Sequence, residues 1–494
     1  MTTPPAFGQH RIYYNNFASH LLNAYNPNIF YPELPHRWSD AEWCRCLDML
    51  AEFGFTSFQY WLEPRLFCRE GLDSAVGHEF TRQLGVITEH AHRRGLLVHC
   101  ICGLATVGGN WHTLCPNVPA EWEEIRFLWD AWSKRFAAQD VFGIFPGDPG
   151  ACSRNGCTAL TFIDKSIEIA HLIRRNSPRT TIEFNTWGPP FFGWGNVKGP
   201  EGWQGEFIAH YQHTAWDFDR RRAEDSMNHL VKRLPDFPPG TIISQNLGFN
   251  SDSNPVGDQD ARPWVREIAK TNPVYTWDFS LTEGENNVVP HWRFDRLFQR
   301  RREEREVGAY SGGICFTMTP LLNPLSLYLS AQSFLRPDAQ PETVAAEFCV
   351  RLYGPEGAKL VPYLKLFEVV KDWGNYIDIL LSRDDYHLRL QELVKLLHEL
   401  RPALREDAVL HPRPADWHAE LLFFAEFCRD LSGPAPDYPA LRQGYWNRVY
   451  AIYDRLPAHV DPRPHQATDN LIAAFKPENW RGQPQHAIPG KWTT

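Results

Sequence analysis

Eight short runs of apolar and β-branched residues recur along the first two thirds of the chain, each followed by a polar or glycine-bearing loop and then a stretch of helical period. They begin near Arg11 (RIYYNNF), Thr56 (TSFQYWL), Leu96 (LLVHCICG), Val141 (VFGIFPGD), Thr180 (TTIEFNTW), Thr241 (TIISQNL), Val274 (VYTWDFS) and Gly312 (GGICFTMT). Alternation of such runs with helical segments is the pattern of βα units. The starts lie about 33 to 61 residues apart, which leaves room for the loop, helix and return that a parallel pair requires. Eight units predict an α/β fold closed into a (β/α)8 barrel, whose chemistry gathers at the C-terminal ends of the strands.

The segments between the runs carry helix signals. Ser39-Asp40-Ala41-Glu42 has the form of a capping box, Trp43, Leu47 and Leu50 repeat on one face, and Gly54 supplies a stop. Asn117 is expected to cap a second helix, in which Trp122, Ile125, Trp129, Trp132 and Phe136 form one apolar stripe that reads as core. A third helix, with Ile163, Ile167 and Ala170, is expected to end at Arg174-Arg175-Asn176-Ser177-Pro178.

A barrel uses about 250 to 330 of the 494 residues, so a second domain is expected. Past Pro324 the strand-like runs stop. Helical patterns follow over Glu342–Phe348, Leu360–Val370 and Leu388–Leu400, with a break at Leu352-Tyr353-Gly354-Pro355. The expected division is a catalytic barrel over residues 1–334 and a helical domain over 335–494. The stretch from Pro457, rich in proline, histidine and glutamine, forms its tail.

Charge and composition narrow the partners. Fifty basic residues face 59 acidic ones, for a net charge of -9, and the bases are scattered apart from Arg300-Arg301-Arg302, which disfavours nucleic acid. The N-terminus lacks a basic region leading into an apolar stretch, and no run approaches the roughly 18 apolar residues that span a bilayer. Eleven cysteines, several inside apolar runs (Cys100, Cys102, Cys315), show no regular framework and favour a reducing compartment. The expectation is a soluble, cytoplasmic protein without a membrane partner; a homodimer contact through the helical domain is left open. Nineteen tryptophans are many for this length, and those in loops after strands suit the faces on which sugar rings pack.

The fourth run ends in Phe145-Pro146-Gly147-Asp148-Pro149-Gly150, placing a carboxylate just past a strand. Gly-Asp-Pro-Gly is also good turn chemistry by itself. In the fifth run Glu183, Asn185 and Trp187 share one face, and a carboxylate inside a barrel is costly unless paired or functional. The seventh ends in Trp277-Asp278 and leads to Glu283, Glu285 and His291. Asp148 as general acid, with a partner among Glu183, Asp278, Glu283 and Glu285, would supply the two carboxyl groups of glycosidic bond cleavage. Trp61, Trp111, His112, Trp187 and Trp277 are candidate walls for a sugar. His99, His112, His291, Asn185, Gln245 and Asn246 are candidate hydroxyl-binding groups, the last two with backbone capping as the plainer reading.

Three stretches carry a family resemblance: Asp148-Pro149-Gly150 with Cys152 and Cys157 after it, Thr319-Pro320-Leu321-Leu322-Asn323-Pro324, and Leu327-Tyr328-Leu329-Ser330-Ala331. Together they resemble the glycosidase group that contains α-glucuronidases and hexosaminidase-like barrels. The resemblance implies a (β/α)8 catalytic barrel followed by helices, acting on a terminal sugar. Hexosaminidases of this type carry an adjacent Asp-Glu pair after the fourth strand, whereas Pro149 follows Asp148 here. A uronide or plain hexoside therefore fits at least as well as an N-acetyl sugar.

Two other readings stand beside this one. His99, His112, Asp148, Cys152 and Cys157 could contribute ligands to a metal-dependent barrel enzyme, a sugar isomerase or amidohydrolase-like hydrolase, although their spacing matches no recognised cluster and neither metal nor cofactor is expected. The other is a non-catalytic carbohydrate-binding barrel whose acids only bond hydroxyls. No Gly-rich phosphate loop follows a strand, and no Gly-x-Ser-x-Gly elbow is present.

Overall fold

The computed structural model describes residues 7–15, 38–62, 68–107, 112–146, 155–186, 220–246, 262–278, 294–316, 323–368, 385–406, 410, 414–437, 439–441, 443, 444 and 447. The strands are β1 (His10–Asn15), β2 (Ser57–Trp61), β3 (Leu97–Gly103), β4 (Thr106–Val107), β5 (His112–Thr113), β6 (Val141–Phe145), β7 (Thr181–Asn185), β8 (Ile242–Asn246), β9 (Val274–Asp278) and β10 (Gly312–Phe316). Eight of them close a barrel in the order β1-β2-β3-β6-β7-β8-β9-β10, with β10 returning to β1. Each of the eight runs expected from the sequence is one of these strands. The antiparallel pair β4 and β5 is an additional hairpin after β3, too short for its residues to have registered as a strand pattern.

Register decides which side chains enter the barrel. Gln59 lies opposite His99, Gly143 opposite Glu183, and Ser244 opposite Tyr275, which in turn lies opposite Gly312. Gln59 on β2 hydrogen-bonds Glu183 on β7 although β3 and β6 separate those strands, so this face is the interior. The alternate positions (Phe58, Val98, Cys100, Phe142, Ile182, Ile243, Val274) are buried on the outer face, which explains why the strands read as continuous apolar runs.

Two glycines let the interior close. At Gly312 a Cβ atom would lie 1.9 Å from the His10 carbonyl oxygen, so only glycine permits β10 to approach the start of β1, where the His10 N–H donates to Ser311 O at 3.2 Å. At Gly143 it would lie 2.4 Å from Ile101 Cγ2, so the missing side chain gives Ile101 its space.

The first helix, α1 (Asp40–Phe53), forms as its sequence directs. Ser39 Oγ accepts from the Glu42 N–H, Glu42 accepts from the Ser39 N–H at 2.8 Å, and Gly54 ends the helix with φ 97°. After it come α2 (Arg69–Leu72), α3 (Ala75–Arg93), α4 (Pro119–Arg135), α5 (Ala159–Asn176), α6 (Arg220–Arg233) and α7 (Arg262–Ile268). In α4 the expected stripe of Trp122, Ile125, Trp129 and Trp132 is buried, and Trp129 Nε1 donates to Leu104 O at 2.9 Å. Its cap differs from expectation. Val118 is the N-cap residue and Pro119 opens the helix, where its missing N–H costs nothing, while Asn117 Nδ2 instead donates to Asn155 O at 2.9 Å. The helix α5 ends at Asn176, as expected, one residue past Arg175 and with Ser177 as C-cap.

Then follow α8 (Asp295–Val307), α9 (Pro324–Leu335), α10 (Pro341–Tyr353), α11 (Val361–Leu364), α12 (Tyr386–Leu400) and α13 (Pro414–Leu431). Gly354, with φ 74°, makes the break after α10. By internal contacts the chain forms two compact units: Met1–Asn23, Phe55–Phe279 and Glu303–Cys315, containing the barrel strands as far as Cys315; and Ala24–Gly54, Ser280–Arg302 and Phe316–Thr494, which among its described residues holds α1 and α9 to α13. In the helical unit Phe53 packs edge-on against Tyr328 and Phe348, and Gln332 Nε2 donates to Phe53 O at 3.0 Å. Phe348 meets Trp417 at 5.8 Å, Tyr353 OH bonds His418 Nδ1 at 2.9 Å, and the buried Arg301 guanidinium lies 4.0 Å from the Phe334 ring centroid. No helix among the described residues is long and apolar enough to cross a membrane.

The glycines give a paired stability prediction. Gly312→Ala, forced against backbone, is expected to lower unfolding stability by about 3 kcal/mol. Gly85→Ala, on α3 with nothing near the added carbon, is expected to raise it by roughly 0.5–1 kcal/mol. Urea unfolding midpoints of the two variants check both signs.

Candidate functional site

A polar row crosses the barrel interior with Glu183 at its centre. This side chain is wholly buried, and its Oε2 accepts a hydrogen bond from Gln59 Nε2 at 2.7 Å. His99 Nδ1 stands 3.7 Å from the same oxygen, within ion-pair range but too far for a hydrogen bond. Among the described residues Glu183 Oε1 has no hydrogen-bond partner, nor have Gln59 Oε1, either ring nitrogen of His99 or Ser57 Oγ. Buried polar atoms are nearly always paired, and an unpaired one costs about 1–3 kcal/mol, more if charged. Four residues with such atoms in one barrel mark it as the place where a polar ligand or water would be held.

Tyr275 and His10 continue the row. Burial, with the Glu183 carboxylate adding to it, pushes ionisation of the Tyr275 hydroxyl well above its ordinary range, so that it stays a neutral O–H donor. The His10 ring lies 5.0 Å from the Tyr275 ring, centroid to centroid. Burial first, then the nearby His99 and Arg11, lowers the His10 pKa to about 4.

Toward the C-terminal ends of the strands, Asn185 Nδ2 donates to Ser244 Oγ at 2.7 Å on the same interior face. Trp61, also interior, meets Phe145 edge-on at 5.3 Å. Gln245 is buried, but its register partner is Thr276 rather than Tyr275, which puts it on the face alternate to Ser244.

Of the residues singled out from sequence, the barrel thus brings Glu183 and His99 together and sets Trp61 and Asn185 on the same interior face. His112, Asn246, Trp277 and Asp278 have their backbones on β5, β8 and β9, but their side chains lie outside the description. Asp148, Trp111, Trp187, Glu283, Glu285, His291 and Cys152 lie outside the described residues. Sequence reasoning passed over Gln59, Tyr275 and His10. Gln59 carried a usable signal, since it is the one amide within the run SFQYW; Tyr275 read as an ordinary aromatic strand residue, and His10 lies one residue before the run that begins at Arg11.

A carboxylate held by a donor on one oxygen and open on the other can pass or receive a proton at the open oxygen, or accept a hydroxyl hydrogen. No group of three or more His, Cys, Asp or Glu side chains that could hold a metal ion occurs among the described residues.

A pH dependence of folding follows from His10, alongside the one from His418, whose burial also lowers its pKa to about 4. The unfolded chain protonates the His10 ring near pH 6.5, whereas the folded barrel resists until about pH 4. Its contribution to stability is complete above pH 6.5 and is lost as the pH falls toward 4. Replacing it, His10→Gln, is expected to flatten the dependence of unfolding stability on pH across that window, as measured by urea titration at several pH values.

No protein-family model and no curated protein sequence matches the chain. Among solved structures it is similar to a mutant of the O-GlcNAc hydrolase of Thermobaculum terrenum, at 12% identity and TM-score 0.48, covering 96% of this chain and 94% of that one. It is also similar to CpGH84B, at 10% identity and TM-score 0.46 over 96% of this chain and 78% of that one. A third is a GH138 enzyme targeting pectin rhamnogalacturonan II, at 10% identity and TM-score 0.47. That match covers 92% of this chain and 63% of that one.

Proposed function

We propose that this chain is a glycoside hydrolase that releases a terminal sugar or uronic acid by paired-carboxylate catalysis. The observation that carries the reading is the wholly buried Glu183 in a closed eight-stranded barrel, with Oε1 unpartnered among the described residues while Gln59 fixes Oε2. A carboxylate left open inside a barrel is expensive to keep, and carboxyl chemistry is a reason to keep it.

In this reading Asp148, which follows β6 in the sequence, is the general acid and protonates the leaving oxygen. Its partner among Glu183, Asp278, Glu283 and Glu285 activates water or attacks the anomeric carbon. Trp61 offers a ring against which a sugar can pack, and Asn185 offers an amide for a hydroxyl. With Pro149 after Asp148, a uronide or plain hexoside fits at least as well as an N-acetyl sugar, whose substrate-assisted cleavage uses an acidic residue at that place.

One observation favours a second reading, a barrel that binds carbohydrate without cleaving it. The bond from Gln59 already satisfies one oxygen of Glu183, as it would in a purely structural carboxylate. Assays of a panel of aryl glycosides and uronides, with and without chelator, separate the readings. Chelator-resistant turnover is expected, falling at least about a hundredfold in Asp148→Asn. Turnover abolished by chelator would overturn carboxylate catalysis in favour of a metal enzyme. Sugar binding by the native protein with no turnover of any substrate would favour the binding barrel.

A further inference from the structure

Cys115 and Cys157 meet from two separate segments of the barrel unit. Cys115 stands between β5 and α4, and Cys157 immediately precedes Thr158, the N-cap residue of α5. Their sulfurs lie 3.5 Å apart in a small buried cluster against which Val118 packs. Hydrogen bonds hold the two segments in place. Asn117 Nδ2 donates to Asn155 O at 2.9 Å, Asn155 Nδ2 donates to Cys115 Sγ at 3.4 Å, and the Cys115 N–H donates to Glu121 Oε2 at 2.5 Å. Asn155 and Gly156, with φ of 50° and 73°, turn the chain so that Cys157 arrives beside Cys115.

A disulfide requires its sulfurs about 2.05 Å apart, so these need to close by roughly 1.5 Å. We propose that Cys115 and Cys157 form a dithiol site that a peroxide oxidises to an internal disulfide. Cys157, the less buried residue of the two at 4% exposed against 0%, is assigned as the one that meets a small oxidant. Its thiolate attacks one peroxide oxygen, the O–O bond breaks, and a sulfenic acid and hydroxide result. Cys115 Sγ then attacks the Cys157 sulfur and displaces the second hydroxide. The two thiol protons convert both hydroxides to water. In sum two thiols and one hydrogen peroxide give one disulfide and two waters, the two electrons passing from sulfur to the peroxide bond. Burial of both sulfurs keeps out bulkier oxidants such as glutathione disulfide. The link would tie the β5–α4 segment to the chain just past the stretch that carries Asp148 and Cys152.

The test is peptide mapping of the full-length protein after brief treatment with hydrogen peroxide, alkylation of remaining thiols under denaturing conditions, and digestion. A cross-linked pair of peptides containing Cys115 and Cys157, lighter by two hydrogens and split by dithiothreitol, is expected in the native protein. It should form equally in Cys152→Ala and be lost in Cys115→Ala and Cys157→Ala variants whose circular dichroism matches the native protein. Recovery of both cysteines as alkylated thiols after peroxide would overturn the proposal, as would pairing of Cys157 with Cys152 in place of Cys115.

Discussion

Closing eight parallel strands into a barrel leaves an interior of fixed size, and every side chain that enters it has to fit and be satisfied there. Most of the constraint in this protein follows from that. Gly312 and Gly143 are glycine because a Cβ would strike the His10 carbonyl in one case and Ile101 in the other. A polar row, Gln59, His99, Glu183, Tyr275 and His10, lies across that interior. The hydrogen bond from Gln59 to Glu183 crosses the barrel and joins strands that are not neighbours. A buried carboxylate with an open oxygen is a costly thing to build into a core. The chemistry proposed for the chain rests on that cost.

Much of the fold was legible in the sequence because its signals are local. Parallel strands buried on both faces read as continuous apolar runs, and all eight runs became barrel strands. The capping box at Ser39 and the stop at Gly54 act within a few residues and stand as read. The cap of α4 was misassigned because Asn117, a good cap by type, found a partner in Asn155, far along the sequence and invisible to local pattern. The β4–β5 hairpin was missed because two residues per strand are too few to show a period.

The site was legible in part for the same reason. Alternation along β7 placed Glu183 and Asn185 on one face, and register then brought His99 toward Glu183. Gln59 and Tyr275 could not be found by alternation alone, since their roles depend on which strand lies across the barrel. Cys157 pairs in space with Cys115 rather than through any spacing motif of its own. In each case the missing information was a long-range contact, which single-sequence periodicity does not contain.

The proposed function requires a sugar to bind with its scissile bond between Asp148 and a second carboxylate. The most direct measurement is a crystal structure of Asp148→Asn soaked with an uncleaved aryl glycoside. The glycosidic oxygen is expected within about 3 Å of residue 148. A carboxylate from Glu183, Asp278, Glu283 or Glu285 is also expected across the sugar ring, roughly 5–10 Å from the residue 148 side chain. A sugar bound away from the C-terminal ends of the strands, or with none of these carboxylates beside its anomeric carbon, would contradict the proposed function.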